Sequence, residues 1–325
     1  MRSHDRRELP RSSTVGNQRS TNFYIIILIH FFLFVTSKTI LVHTIPIHQR
    51  LIQQYQGFLQ GQDVRTSHQR QNFSIFETSA PSIPTTSILQ HWEQAISPNL
   101  VLGKRVEHFM SYYLQNDTPY RILAQNIQVF DNKITLGEID FLIQHCHSRQ
   151  VIHLEQVYKF YLYVPKASLY HNDPWIGPNY KDSLQQKMDK LSQKQFPLLQ
   201  RPKTQDLLHE LGINSSTIEQ HLSFKAALFV PYYAPFCEDH SINKACIQGY
   251  WMRLDEFETN KFFQDQQFFL PQKQDWGSAP IHHTNWKSYS IILEQIKISL
   301  ANKRAPMCWV KQKGGSYSKL FIVWW

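Results

Sequence analysis

Residues 150 to 164 read QVIHLEQVYKFYLYV, a run of 15 residues without glycine that Pro165 closes. Val157, Tyr158, Phe160, Tyr161 and Leu162 are residue types that strands favour. The run predicts a strand that is otherwise fully buried, so it demands neighbouring strands and a helical cover. Two charged residues interrupt it, Glu155 and Lys159. Alternate side chains of a strand share a face, so these two point the same way. A catalytic pair in a site and an ion pair inside a core are both open readings at this point.

The flanking sequence supplies the partners that such a strand needs. LGKRVEHFMSYYLQN, 102 to 116, is an amphipathic helix with Val106, Phe109, Met110, Tyr113 and Leu114 as its apolar stripe. RILAQNIQVF, 121 to 130, and ITLGEIDFLIQ, 134 to 144, are strands joined by the turn DNK into a hairpin. After 150 to 164, a helix is expected over 177 to 196 with Pro178 near its start, then a short helix over 204 to 211 closed by Gly212. LSFKAALFVPYY, 222 to 233, is a further strand. Helix, three strands, helix, strand is an α/β layout with a mixed sheet.

Four regions follow: an extension over 1–45, a helical and loop lead-in over 46–100, the core over 101–235, and α+β elements over 236–325 packed on the core. The lead-in opens with a helix at 46 to 60 and continues as a polar loop to Pro84. The last region reads as a strand at 246 to 254, a short helix at 255 to 263, a longer helix at 282 to 304 and a closing hairpin of 307 to 313 with 319 to 325.

Composition bounds the function. Only 11 glycines are present, and neither GxGxxG nor GxxxxGK[ST] occurs, which removes the usual nucleotide-binding loops. Lys plus Arg is 34 against 25 acidic residues, a formal charge of +9 that suits a nucleic-acid partner. The four cysteines have no CxxC spacing; they read as free thiols, with a Cys237–Cys246 bridge as the alternative. FYIIILIHFFLFV, 23 to 35, follows an Arg-rich start. It is either a signal peptide or anchor, or text upstream of a start called too early.

The charged residues of the core form an ordered set. Glu107 lies beside the apolar stripe of the first helix, and Glu138 and Asp140 share a face of the second strand. Glu155 and Lys159 follow on the third. Neighbouring strands are about 4.8 Å apart, so their carboxylates can converge on one cation. Two or three carboxylates suit Mg²⁺ or Mn²⁺, which take hard oxygen ligands, and a lysine beside them stabilises charge on a phosphate. Each residue alone is as readily an ion pair, a turn cap or a solvated helix position.

The order helix-Glu, strand-Asp, strand-Glu and Lys, with GEID at 137 to 140 and HLEQVYKF at 153 to 160, resembles the PD-(D/E)XK nuclease superfamily. That resemblance implies a restriction-endonuclease-like αβββαβ core, with Glu107, Asp140 and Glu155 as metal ligands and Glu155 and Lys159 as catalytic residues. The superfamily places acid and lysine two residues apart; here they are four apart. Four strand residues span about 13 Å against about 7 Å for two. LGKRVEHF, KITLGEIDFL, HLEQVYKFYLY, WIGPN with KDSLQQKMDKL, and CWVK with FIVWW resemble the bacterial family catalogued as domain of unknown function 1853, over roughly 46 to 325. On that resemblance the fold begins near residue 46.

Lys181, Lys187 and Lys190 are expected to face phosphates, and Gln185 or Gln186 to take a helix-borne glutamine role. The expected function is a Mg²⁺- or Mn²⁺-dependent nuclease or phosphodiesterase, with no small-molecule cofactor. The alternative is a catalytically silent nuclease-like fold that binds nucleic acid or protein. The expected location is cytoplasmic; retention of 23 to 45 would instead anchor or export the chain.

Overall fold

The strand that anchors the sequence reading is the axis of the sheet. In the computed structural model, residues 46–65, 73–80, 82–165, 173–233, 242–280 and 285–325 are described. The expectations for residues 1–45 and for Cys237 lie outside them.

The chain enters through α1 (Ile47–Leu59), a two-residue strand β1 (Ser74–Ile75) and α2 (Thr86–Ala95). The helix α3 (Leu102–Asn116) leads into three long antiparallel strands, β2 (Tyr120–Asp131), β3 (Ile134–His145) and β4 (Val151–Tyr163). Then come β5 (Trp175–Ile176), α4 (Leu184–Lys190), α5 (Pro202–Glu210) and β6 (Glu219–Pro231), which runs parallel to β4. The last third holds β7 (Ile247–Arg253), α6 (Leu254–Thr259), α7 (Lys261–Gln264), β8 (Gln267–Phe269), α8 (Tyr289–Ala301), β9 (Met307–Lys311) and β10 (Tyr317–Val323).

All ten strands belong to one mixed sheet, ordered β2-β3-β4-β6-β7-β10-β9-β8, with β1 on β6 and β5 on β4. Ile45–Trp325 form one compact unit. The C-terminal elements therefore extend the sheet itself, through the parallel pairing of β6 with β7 and of β7 with β10.

Helices cover both faces. On one, Tyr55, Phe58, Trp92, Phe109 and Met110 of α1, α2 and α3 bury against Phe141, Ile143, Ile152 and Leu154. On the other, Leu184, Leu191 and Phe196 pack on Val157, Tyr161, Leu222 and Phe224. Both faces of β4 are thus apolar except where Glu155 and its neighbours stand, which is the pattern of a central strand.

One local expectation is corrected and one element is added. Residues 177 to 183 do not begin a helix. Gly177 N–H donates to Asp182 O at 2.7 Å, Tyr180 takes a left-handed φ of 56°, and the helix starts only after Ser183. Ser183 and Gln186 cap each other reciprocally, a stronger start signal than Pro178. Residues 86 to 95, in the helical and loop lead-in and given no element of their own, form α2, whose buried Leu89 and Trp92 give it a face on the core. Cys246 and Cys308 are buried free thiols, and Cys146 is an exposed one.

Candidate functional site

The site lies where the sheet forks. β3 pairs with β4 only as far as Phe141 opposite Leu154, and β5 takes up the same edge of β4 only at Leu162. Beyond the fork β3 continues with β2 alone. Asp140, the first residue past the split, replaces the missing ladder bond: its Oδ2 accepts the Gln156 N–H at 2.9 Å. A carboxylate is thereby fixed in the gap by the backbone of the strand that β3 has left.

Two more carboxylates join it. Ligand oxygens of Glu107, Glu138 and Asp140 all lie within 4.8 Å of one another. Glu107 comes from α3, and Glu138 stands two residues before Asp140 on the same face of β3, opposite Gln128 of β2. Lys104, one turn before Glu107, bridges two of the three: its Nζ lies 3.0 Å from Glu107 Oε2 and 2.5 Å from Glu138 Oε1. Burial works against the Lys104 ammonium, but its bonds to Glu138 and Glu107 outweigh that and hold the amine above its ordinary value.

Burial pushes the Glu107 carboxyl above its usual range; Lys104 opposes this, while Glu138 and Glu155 add to it. Asp140 is also pushed up, first by burial and then by Glu155, with the Gln156 N–H pulling the other way. Burial together with neighbouring like charge raises both carboxyls, an arrangement that functional sites share with structural ion-pair networks.

Glu155 sits behind this trio and is only 1% exposed. His153 Nε2 meets its Oε1 at 2.8 Å, and Gln195 Nε2 donates to its Oε2. Gln195 is reached through a five-residue π-helical turn, Leu191–Gln195, that continues α4. π-turns of this kind gather at functional sites because they re-aim side chains. Lys187, on α4, donates from Nζ to Gln195 Oε1 at 3.1 Å. Burial lowers the Lys187 amine, while Glu155 and, more weakly, Asp140 support its charge.

The structure therefore brings Glu107, Asp140, Glu155 and Lys187 into one region, with Glu155 outside the tight trio. It does not bring Lys159 there as a partner of Glu155. Lys159 Nζ pairs with Asp182 at 2.8 Å, with both side chains 41% exposed. Lys159 stands four residues beyond Glu155 in the stretch of β4 that neither β3 nor β5 pairs, and its side chain turns to Asp182. Lys181 is exposed in the turn before α4. Gln185 is turned outward, with Nε2 on Asp189 Oδ1 at 2.8 Å and its N–H on Asp173.

Sequence reasoning placed Glu138 beside Asp140 but left it out of the site, although the i, i+2 spacing on one strand face was the available signal. His153, two residues before Glu155, carried the same signal. Gln195 and Lys104 had none, because a π-turn and a helix-to-strand contact bring them in. The motif WIGPN is a clamp: Asn179 Oδ1 accepts the Ala305 N–H at 2.9 Å, and Trp325 Nε1 donates to Pro178 O at 3.1 Å.

Three oxygen-rich side chains of this type fit a hard divalent cation such as Mg²⁺ or Mn²⁺, and no thiol or imidazole belongs to the trio. The side-chain amide of Gln156, buried beside the fork, has neither of its polar atoms bonded. No helix among the described residues is long and apolar enough to cross a membrane.

Fold and site together define a mixed α/β protein with an acidic cluster at a sheet fork. The chain belongs to the family described as a domain of unknown function, DUF1853, which matches residues 45–323. No curated protein and no solved structure matches it.

Proposed function

We propose that the chain is a metal-dependent phosphodiesterase of the PD-(D/E)XK type acting on nucleic acid. The observation that carries the reading is the fork: β3 leaves β4 at Phe141, and Glu107, Glu138 and Asp140 oxygens gather within 4.8 Å beside it. The order α3, β2, β3, β4, α4, β6, with β6 parallel to β4, supports a restriction-endonuclease-like core.

In this reading Glu107, Glu138 and Asp140 hold Mg²⁺ or Mn²⁺. Such an ion supplies Lewis acidity and an acidified water. Glu155 adds negative charge behind the trio. Lys187 sets a positive charge beside Glu155 and Asp140, where it stabilises charge on a phosphate oxygen. Lys190 and Lys194 follow on the same helix and turn, and suit a phosphate backbone.

The test is cleavage of end-labelled single- and double-stranded DNA and RNA by the full chain with an excess of Mg²⁺ or Mn²⁺. Cleavage that Asp140→Asn abolishes supports the reading. Metal-independent cleavage, or cleavage untouched by the substitution, refutes it. Two observations favour a second reading, a catalytically silent binding module: Lys159 is tied to Asp182, and the strand position two after Glu155 is Val157. That reading expects salt-sensitive binding without turnover.

A further inference from the structure

We infer that His153 is a positioning residue, whose Nε2–H holds Glu155 in place at the rear of the site. The imidazole is fully buried at 0% exposure. Its Nε2 lies 2.8 Å from Glu155 Oε1. Its Nδ1 lies 3.5 Å from Gln220 Nε2, an amide nitrogen that also donates to Phe196 O at 2.7 Å. The bond to the Phe196 carbonyl fixes Gln220 Nε2 as the amide's donor end, so Nδ1 is the acceptor and the ring proton sits on Nε2. Phe196 closes the other side of the ring, edge-on at 5.6 Å between centroids.

Both oxygens of Glu155 are thus held, by His153 on Oε1 and Gln195 on Oε2. Gln195 is in turn oriented by Lys187. Held at both oxygens, the Glu155 side chain keeps one orientation beside the trio. Outer groups that orient an acidic site typically change metal affinity about 10- to 100-fold when removed.

Three proteins decide the matter: the wild type, His153→Phe, which keeps an aromatic ring but has no N–H, and His153→Gln, which keeps an N–H at a similar reach. Mn²⁺ affinity is read by calorimetry and folding by thermal melting. His153→Phe is expected to weaken Mn²⁺ binding by about 10-fold or more, and His153→Gln to recover most of it. Equal Mn²⁺ affinity in His153→Phe and wild type overturns the inference. The Mn²⁺ comparison rests on the metal reading; the ring tautomer does not. ¹⁵N spectra of the wild-type imidazole should show the proton on Nε2, and a proton on Nδ1 overturns the inference independently. If the wild type binds no Mn²⁺, the metal reading fails, and the tautomer alone decides on His153. Should His153→Phe not fold, His153→Gln against His153→Leu makes the same comparison.

Discussion

Asp140→Asn should make the metal-free protein more stable, which a structural aspartate would not do. Ligand oxygens of Asp140, Glu107 and Glu138 lie within 4.8 Å of one another. At an effective dielectric near 20, two like charges at that separation repel by about 3 kcal/mol. Asp140 has two such neighbours, with Glu155 as a further one, and Lys104 offsets part of the charge on Glu107 and Glu138. Asparagine removes the charge but keeps an oxygen for the Gln156 N–H, so the backbone bond at the fork survives.

The net gain should be about 1–3 kcal/mol at pH 8, a rise in Tm of a few degrees for a chain of this size. The sign follows from linkage. The folded value of Asp140 is raised above its unfolded value, so the wild type loses stability as pH climbs from about 4 through the folded value. The advantage of asparagine must therefore grow over that window and vanish near pH 3, where both states are protonated. Denaturant melts at pH 3.5 and pH 8 measure it. A variant less stable than wild type at pH 8 would refute the electrostatic account of the cluster. The same variant should lack the stabilisation by Mn²⁺ expected of wild type, about 2.7 kcal/mol at a hundredfold excess over Kd.

Lys187→Met should abolish metal-dependent cleavage, whereas Lys159→Met should leave most of it, because Lys159 pairs with Asp182 rather than with the cluster; parallel turnover assays decide. Gly57→Ala should cost about 1–3 kcal/mol in denaturant melts, since an added Cβ would lie 2.5 Å from the backbone oxygen of Gly277. Lys225→Met should destabilise by about 2 kcal/mol although it removes a buried charge, because the Leu59 and Gly61 carbonyls lose the ammonium that donates to them at 3.0 and 2.6 Å.

The three long strands were legible because their residues are strand formers bounded by the DNK turn and Pro165, and each was placed within two residues of its observed ends. The acids were legible as a set because Glu138, Asp140 and Glu155 lie at strand spacings that bring side chains to shared faces. Where each lysine side chain ends up was not legible. Lys159 is near Glu155 in sequence, but its side chain pairs with Asp182, 23 residues on. Lys187 reaches the site because α4 starts late, after the Gly177–Asp182 turn, and because a π-turn then adds Gln195 below it. Both devices depend on contacts between distant segments, which period and propensity do not encode. The helix α2 was missed for a related reason: its sequence is mostly polar, and only burial of Leu89 and Trp92 against α1 and α3 gives it a face.

Anomalous diffraction from crystals soaked in Mn²⁺ tests the central claim most directly. The account predicts a single strong peak at the fork, about 2 Å from oxygens of Glu107, Glu138 and Asp140, with the Lys104 ammonium moved off the cluster. A peak elsewhere, or an unaltered Lys104 bridge with no peak at the fork in the presence of excess Mn²⁺, would contradict it.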